Sequence, residues 1–371
     1  PEWIDHVDLM EVSPGHSRKL RVSLKTYAGR LHSKHMQDLP FEVDRVLSEA
    51  DVEVVRSYHM NDLLVTRDFY YELKAQLDLR CQLSDQYGID VRSKSDAKIA
   101  EAVIVAEIER ETKRRIYKPE VRAGTFYYKP PEWVRFQTQV LQDALRKVVA
   151  TPFVVRGDGF VELPDSLKET GIPIGRGVYR MGNGGLHSSE SKQIFHSDDE
   201  FVIIDRDVTS YYPSIILTNE LYQKHLGPVF LKIYQSIFDR RVAAKRDGKK
   251  DVAETLKIVL NSSFGKMGSA FSKLYSADLM IQTTVTGQLA MLMLIEEIEL
   301  RGIQVISANT DAQVLKLSQA SDVVQLGAQL TRGFGAGCDP IIGRQAAEED
   351  RERIAELVDG ADQIGRASCR E

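Results

Sequence analysis

Two aspartates are spaced for shared chemistry. Asp207 closes the apolar, β-branched run Phe201-Val202-Ile203-Ile204-Asp205-Arg206-Asp207-Val208, and Asp311 lies in the turn Asn309-Thr310-Asp311 between the apolar runs Ile303–Ser307 and Val314–Leu317. The first run reads as a buried strand; the second stretch reads as a strand, a tight turn and a strand. A sheet can bring a carboxylate at one strand end beside another in a later hairpin turn. Such a pair suits in-line phosphoryl transfer, in which two divalent cations activate the attacking hydroxyl and neutralise the leaving pyrophosphate. Carboxylates and phosphates are hard oxygen donors, so Mg2+ is the expected ion, with Mn2+ able to replace it. Asp205 lies two residues before Asp207, on the same strand face, and is an alternative ligand.

Phosphate also needs cations and amides. Lys257 and Asn261 are four residues apart in a helical pattern and share a face, as do Arg241 and Lys245 in the pattern before it. Arginine offers a fork and lysine a point charge to a triphosphate's oxygens. The turn Asp247-Gly248-Lys249-Lys250 links helices expected at Val229–Arg246 and Asp251–Phe264, which should form an antiparallel hairpin.

The elements around these residues follow from periodicity. The stretch from Asp62 to Val149 reads as mainly helical, broken at Lys129-Pro130-Pro131, and the Gly- and Pro-rich passage from Gly157 to Gly185 reads as loops and turns. A further helix is expected from Val285 to Leu300. With 371 residues, 43% of them hydrophobic, the chain can bury two or three cores. No run of about eighteen apolar residues and no signal-peptide order is evident, so a cytoplasmic protein without a membrane partner is expected. The formal charge of -5 does not by itself point to nucleic acid, although basic residues gather at Lys113–Arg122 and Arg240–Lys250. Cys81, Cys338 and Cys369 match no thiol-metal spacing, and His59 and His187 have no partner histidines at ligand spacing.

Asp207-Val208-Thr209-Ser210-Tyr211-Tyr212-Pro213-Ser214-Ile215-Ile216 resembles the first palm motif of family B, phage-type DNA polymerases, departing at Tyr211, where leucine is usual. Lys257-Ile258-Val259-Leu260-Asn261-Ser262-Ser263-Phe264-Gly265 resembles that family's fingers motif, with Phe264 in place of tyrosine. Ser307-Ala308-Asn309-Thr310-Asp311-Ala312 is similar to its third motif, with Asn309 replacing the first aspartate. The resemblance implies metal ligation by Asp207, Asp311 and the Val208 carbonyl. It also implies dNTP binding by Arg241, Lys245, Lys257, Asn261 and Phe264, with Tyr212 under the sugar. Tyr179, Gly184 and Gly185, followed by His187, resemble a region that touches template DNA, and Tyr58 and Asp62 fit the third motif of a 3′-5′ exonuclease.

On this resemblance the fold class is α/β: a palm of mixed β-sheet and helices, helical-hairpin fingers, a helical connector and a partial RNase H-like exonuclease domain. Residues 1–75 would be the end of the exonuclease domain, 76–156 the connector, 157–220 and 271–318 the palm, and 221–270 the fingers. The tail 319–362 shows no family resemblance, and 363–371 reads as a translated sequencing adapter. Starting at Pro1, and lacking both an Asp-x-Glu exonuclease motif and a thumb, the chain is expected to be a fragment cut at both ends and inactive alone. The parent is expected to be a phage enzyme performing template-directed DNA synthesis with proofreading, its partners primer-template DNA and dNTPs. A catalytically inactive DNA-binding remnant is the alternative, and a nuclease in which only the first part matters is a third reading.

Overall fold

A computed structural model describes residues 6–13, 22–34, 36–42, 44–190, 192–198, 200–208 and 210–317. The chain divides into two compact units, one comprising Pro1–Arg114 and Arg240–Ser262, the other Arg115–Asp239 and Ser263–Glu371.

Among its described residues the first unit is helical. The short α1 (Leu9–Val12) starts on Asp8, whose carboxylate accepts the amides of Met10 and Glu11, and α2 (Leu24–Arg30) starts on the Ser23 hydroxyl, the usual partners for open N-terminal amides. Then come α3 (Asp51–Glu72), α4 (Lys74–Tyr87) and α5 (Asp96–Thr112). Tyr27 of α2 stacks on Phe69 of α3 at 4.4 Å between ring centres, within a core of Val12, Val22, Leu73 and Leu77. On α5 the buried positions Ile99, Val103, Ile104 and Ile108 recur at three- and four-residue steps, which is why that segment is helical. Arg80 is buried yet satisfied: it donates to Asp96 at 2.6 Å and to the carbonyls of Lys94 and Gln76.

Two expectations change here. An RNase H-like domain needs a sheet, and no described residue before Gly124 is in a strand. Tyr58 and Asp62 lie one turn apart on α3 rather than beside a sheet, and among the described residues no group of three His, Cys, Asp or Glu side chains is placed to hold a metal.

The second unit is built on antiparallel sheets. A small one pairs β1 (Gly124–Tyr127) with β2 (Pro152–Val155) around the amphipathic α6 (Gln139–Ala150). After α7 (Asp165–Lys168) come β3 (Ile172–Ile174), β4 (Gly177–Met181), β5 (Leu186–Ser189), β6 (Val202–Asp207) and α8 (Tyr211–Thr218). The helices α9 (Val229–Arg246), α10 (Lys250–Met267) and α11 (Ala277–Leu300) then lead to β7 (Gln304–Asn309) and β8 (Ala312–Leu317). The six strands run β3-β4-β5-β7-β8-β6, every pairing antiparallel. Hence the chain is α/β as expected, but this sheet is not of mixed direction.

The strand expected at Phe201–Val208 is present as β6, at the sheet edge and half-buried, since an edge strand has one neighbour. Three strands lie in the passage read as loops. There the glycines serve hairpins: Gly175 turns β3 into β4 at φ +56, and Gly182–Gly185 join β4 to β5.

Helices α9 and α10 match the expected hairpin. A left-handed Gly248 ends α9, with Lys249 N–H donating to Ala244 O and Gly248 N–H to Lys245 O, the pattern that closes a helix C-terminus. The Ser263 hydroxyl donates to the Tyr234 hydroxyl at 3.3 Å, so the end of α10 lies beside the start of α9. Helix α11 begins eight residues before its expected start, because the polar Gln282 and the polar, β-branched Thr283 and Thr284 obscure its periodicity. By length and hydropathy it is long and apolar enough to cross a membrane, although polar residues interrupt its apolar run. In this fold it is the core helix behind the sheet, with Val285, Leu289, Leu292 and Ile295 fully buried.

Candidate functional site

Strand pairing brings the two aspartates together. Asp207 ends β6 opposite Ala312 of β8, and Ala312 pairs in turn with Asn309 of β7, so Asp311 sits in the turn adjacent to Asp207. The Val208 amide donates to the Asp311 carbonyl at 2.8 Å, fastening the end of β6 to that turn. Asp207 is exposed and Asp311 half-buried. Burial, and next the negative charge of Asp207, push the Asp311 carboxyl above its ordinary pKa. Two carboxylates that repel each other in this way fit a divalent cation, which would offset the repulsion. With two side-chain donors, one Mg2+ would complete its octahedron with water and ligand phosphates, its usual habit. Asp205 is exposed two residues earlier on β6, and Asn309 is exposed with its side-chain carbonyl accepting from the Thr310 hydroxyl at 3.3 Å.

Backbone strain is present here, where residue spacing alone does not reveal it. Ser210, which precedes α8, and Thr310, which precedes Asp311, take left-handed conformations at φ 54 and φ 59. Such strain in a β-branched residue persists only where the surroundings hold it, and it clusters at functional sites.

Tyr212 lies over the same place. Its ring stacks on Phe264 at 4.2 Å and 15°, its hydroxyl donates to the Gly184 carbonyl, and burial followed by the charge of Asp311 raises its pKa. The neighbouring Tyr211 donates to the Gly287 carbonyl at 2.5 Å, which pins α8 to α11.

The remaining expected site residues divide between the two units. Tyr179 is fully buried in the core and cannot meet a ligand, and Gly185 is buried against Thr310, whereas Gly184 is exposed. Arg241, Lys245, Lys257 and Asn261 all belong to the first unit. Arg241 is buried there at 7% exposure, and Lys257 pairs with Glu254 of its own helix at 3.2 Å.

The comparisons with known proteins point away from the polymerase resemblance. A model of the Tubulin/FtsZ family, GTPase domain, matches residues 266–367. Curated relatives include FtsZ proteins. The chain is 57% identical over 63 residues to the cell division protein FtsZ of Pseudomonas aeruginosa, covering 17% of this chain and 16% of that protein. It is 55% identical over 65 residues to FtsZ of Azotobacter vinelandii, covering 18% and 16%. Thus the chain spans about a sixth of the length of the relatives it matches. A solved family B DNA polymerase from Pyrobaculum calidifontis overlays with a TM-score of 0.44 at 15% identity, covering 89% of this chain and 41% of that one, a likeness too slight to carry an argument.

The family B identification is therefore corrected. With it fall template-directed DNA synthesis, the proofreading exonuclease assigned to Tyr58 and Asp62, and the inactive DNA-binding remnant. Primer-template DNA and dNTPs as partners, the two-ion polymerase site and the phage setting fall too. The physical reason is that Asp207-to-Ile216 and Ser307-to-Ala312 encode a strand end, a helix start and a hairpin turn. Such motifs fix local geometry, not the reaction. The family match includes Asp311 but not Asp207, and it runs on through the tail that showed no resemblance. Both the tail 319–362 and the adapter-like 363–371 lie outside the described residues.

Proposed function

We propose that this chain binds a guanine nucleoside triphosphate as its Mg2+ complex and hydrolyses it, with Asp207 and Asp311 holding the cation. The observation that carries the reading is the convergence of these carboxylates on adjoining strand ends, felt in the raised pKa of Asp311. The similarity of residues 266–367 to a GTPase domain family supports guanine over other bases. The bacterial cytoplasm is the proposed setting, the matched FtsZ relatives being bacterial.

The bound cation would neutralise the negative charge that grows on the transferring phosphoryl oxygens. The chain's part is to hold both carboxylates at fixed separation. The hydrogen bond from Val208 N–H to Asp311 O keeps that separation, and the Tyr212–Phe264 stack lies near enough for the charge of Asp311 to act on the Tyr212 hydroxyl.

Calorimetric titration of the full chain with GTP and ATP, with and without Mg2+, together with phosphate release, tests this. Mg2+-dependent binding that prefers GTP is expected, as is a loss of roughly 100-fold or more in Asp207→Asn and in Asp311→Asn, the scale seen when a charge-stabilising group is removed. Equal affinity for ATP would remove the guanine assignment. Unchanged Mg2+ dependence in both variants would remove the carboxylates from the site.

A further inference from the structure

The turn that carries Asp311 is gripped from a strand that supplies no ligand. Thr310 N–H donates to the Leu186 carbonyl of β5 at 2.7 Å, and Asp311 N–H donates to Asn309 O at 2.8 Å, closing a three-residue turn around the left-handed Thr310. Beside it, the Ser188 hydroxyl donates to Ala308 O at 3.0 Å and accepts Ala308 N–H at 2.8 Å, so β5 is stitched to β7 just before the turn. Against the Thr310 side chain packs Gly185. A Cβ at residue 185 would come within 2.5 Å of Thr310 Oγ1, 2.7 Å of its Cγ2 and 2.9 Å of its Cβ, distances no real Cβ takes up. The same hairpin accepts the Tyr212 hydroxyl at Gly184 O and is tied to α11 by Gln288, which bonds both the N–H and the O of Gly182.

From this we infer that Gly185 and Thr310 form a latch that sets the orientation of the Asp311 carboxylate toward Asp207. They are positioning residues for divalent-cation affinity. A γ-type turn with positive φ is strained and does not hold itself. The bond to Leu186 and the close fit of Gly185 supply the restraint, while Val208 N–H holds the turn from the opposite side. Neither latch residue touches the cation; each acts through Asp311. The inference rests on the reading of Asp207 and Asp311 as cation ligands.

Manganese binding by the nucleotide-free full chain, followed by electron paramagnetic resonance, tests the latch without relying on turnover. Gly185→Ala drives a methyl group into Thr310 and is expected to weaken Mn2+ binding by about tenfold or more, the range found when groups supporting a metal ligand are lost. Thr310→Gly removes the obstructing side chain and tolerates positive φ. The double variant Gly185→Ala/Thr310→Gly is therefore expected to recover most of the affinity, a coupling that two independent lesions would not show. Near-ultraviolet circular dichroism reports whether Gly185→Ala keeps its core. If it does not, Ser188→Ala, which removes the neighbouring stitch while leaving Gly185 in place, is expected to weaken Mn2+ binding in the same direction. Native Mn2+ affinity in a folded Gly185→Ala, or in Ser188→Ala where the first variant is unfolded, overturns the latch. A double variant no better than Gly185→Ala overturns it as well. Native affinity in Asp311→Asn instead overturns the underlying site, so the two failures are distinct.

Discussion

At the scale of single residues, the pH response of the site turns on Asp311. Burial and the nearby Asp207 raise its pKa, so its proton is held more tightly in the folded than in the unfolded chain. A group of this kind adds stability below its unfolded pKa, and that contribution is lost as pH rises through the folded value. Near neutral pH and without divalent cations, Asp311→Asn should therefore be more stable than the parent, and the difference should vanish below about pH 4, the ordinary range for aspartate. Urea unfolding across that range, in chelator, measures it. A parent equally or more stable at neutral pH would mean that Asp311 is not under the strain described. Tyr179 offers a second prediction. Its hydroxyl is buried with no hydrogen-bond partner among the described residues, so Tyr179→Phe should leave stability unchanged or raise it by up to about 1–3 kcal/mol, the cost of an unsatisfied buried group. A clear loss in the urea midpoint would show that the hydroxyl has a partner.

Among the elements, α6 is held by one side chain from another helix. Glu296 of α11, 2% exposed, accepts the amides of Gln137 and Thr138 and the Thr138 hydroxyl, with distances of 2.6–3.1 Å. These groups stand at the start of α6, where free amides and the helix dipole favour a negative charge. Glu296→Ala leaves these part-buried groups without their acceptor, and a loss of about 1–2 kcal/mol is expected, with Glu296→Gln losing less because its carbonyl still accepts. Chemical denaturation of the three proteins checks the order. Little of this was legible in the sequence, since residues 137 and 296 are joined only by the fold. The hairpin β7–β8 and helices α9 and α10 were legible: alternation, helical spacing and the Asp247-Gly248 turn are local signals. Strands β3, β4 and β5 were hidden because their residues sit among glycines and prolines, and only pairing with β7 reveals why a chain so rich in turns is extended. The approach of Asp311 to Asp207 was foreseeable from strand ends, whereas the latch of Gly185 on Thr310 depends on a contact across 125 positions of chain.

For the whole molecule, the proposed ligand and the fold are linked by mass action. Mg2+ and GTP that bind only the folded chain add RT ln(1 + [L]/Kd), about 2.7 kcal/mol when the ligand is a hundredfold above its Kd. The carboxylate pair makes the effect conditional: without the cation, the repulsion between Asp207 and Asp311 opposes a triphosphate as well. Thermal unfolding should accordingly move upward with GTP and Mg2+ together, and much less with either alone. The carboxylates lie in the unit formed by Arg115–Asp239 and Ser263–Glu371, so tryptophan fluorescence from Trp133, which donates its indole N–H to Asn219 at 3.1 Å in that unit, is a suitable probe. A shift that survives in Asp207→Asn would mean that the nucleotide binds elsewhere on the chain. A shift with GTP that is equal with and without Mg2+ would mean that the cation has no part in holding it.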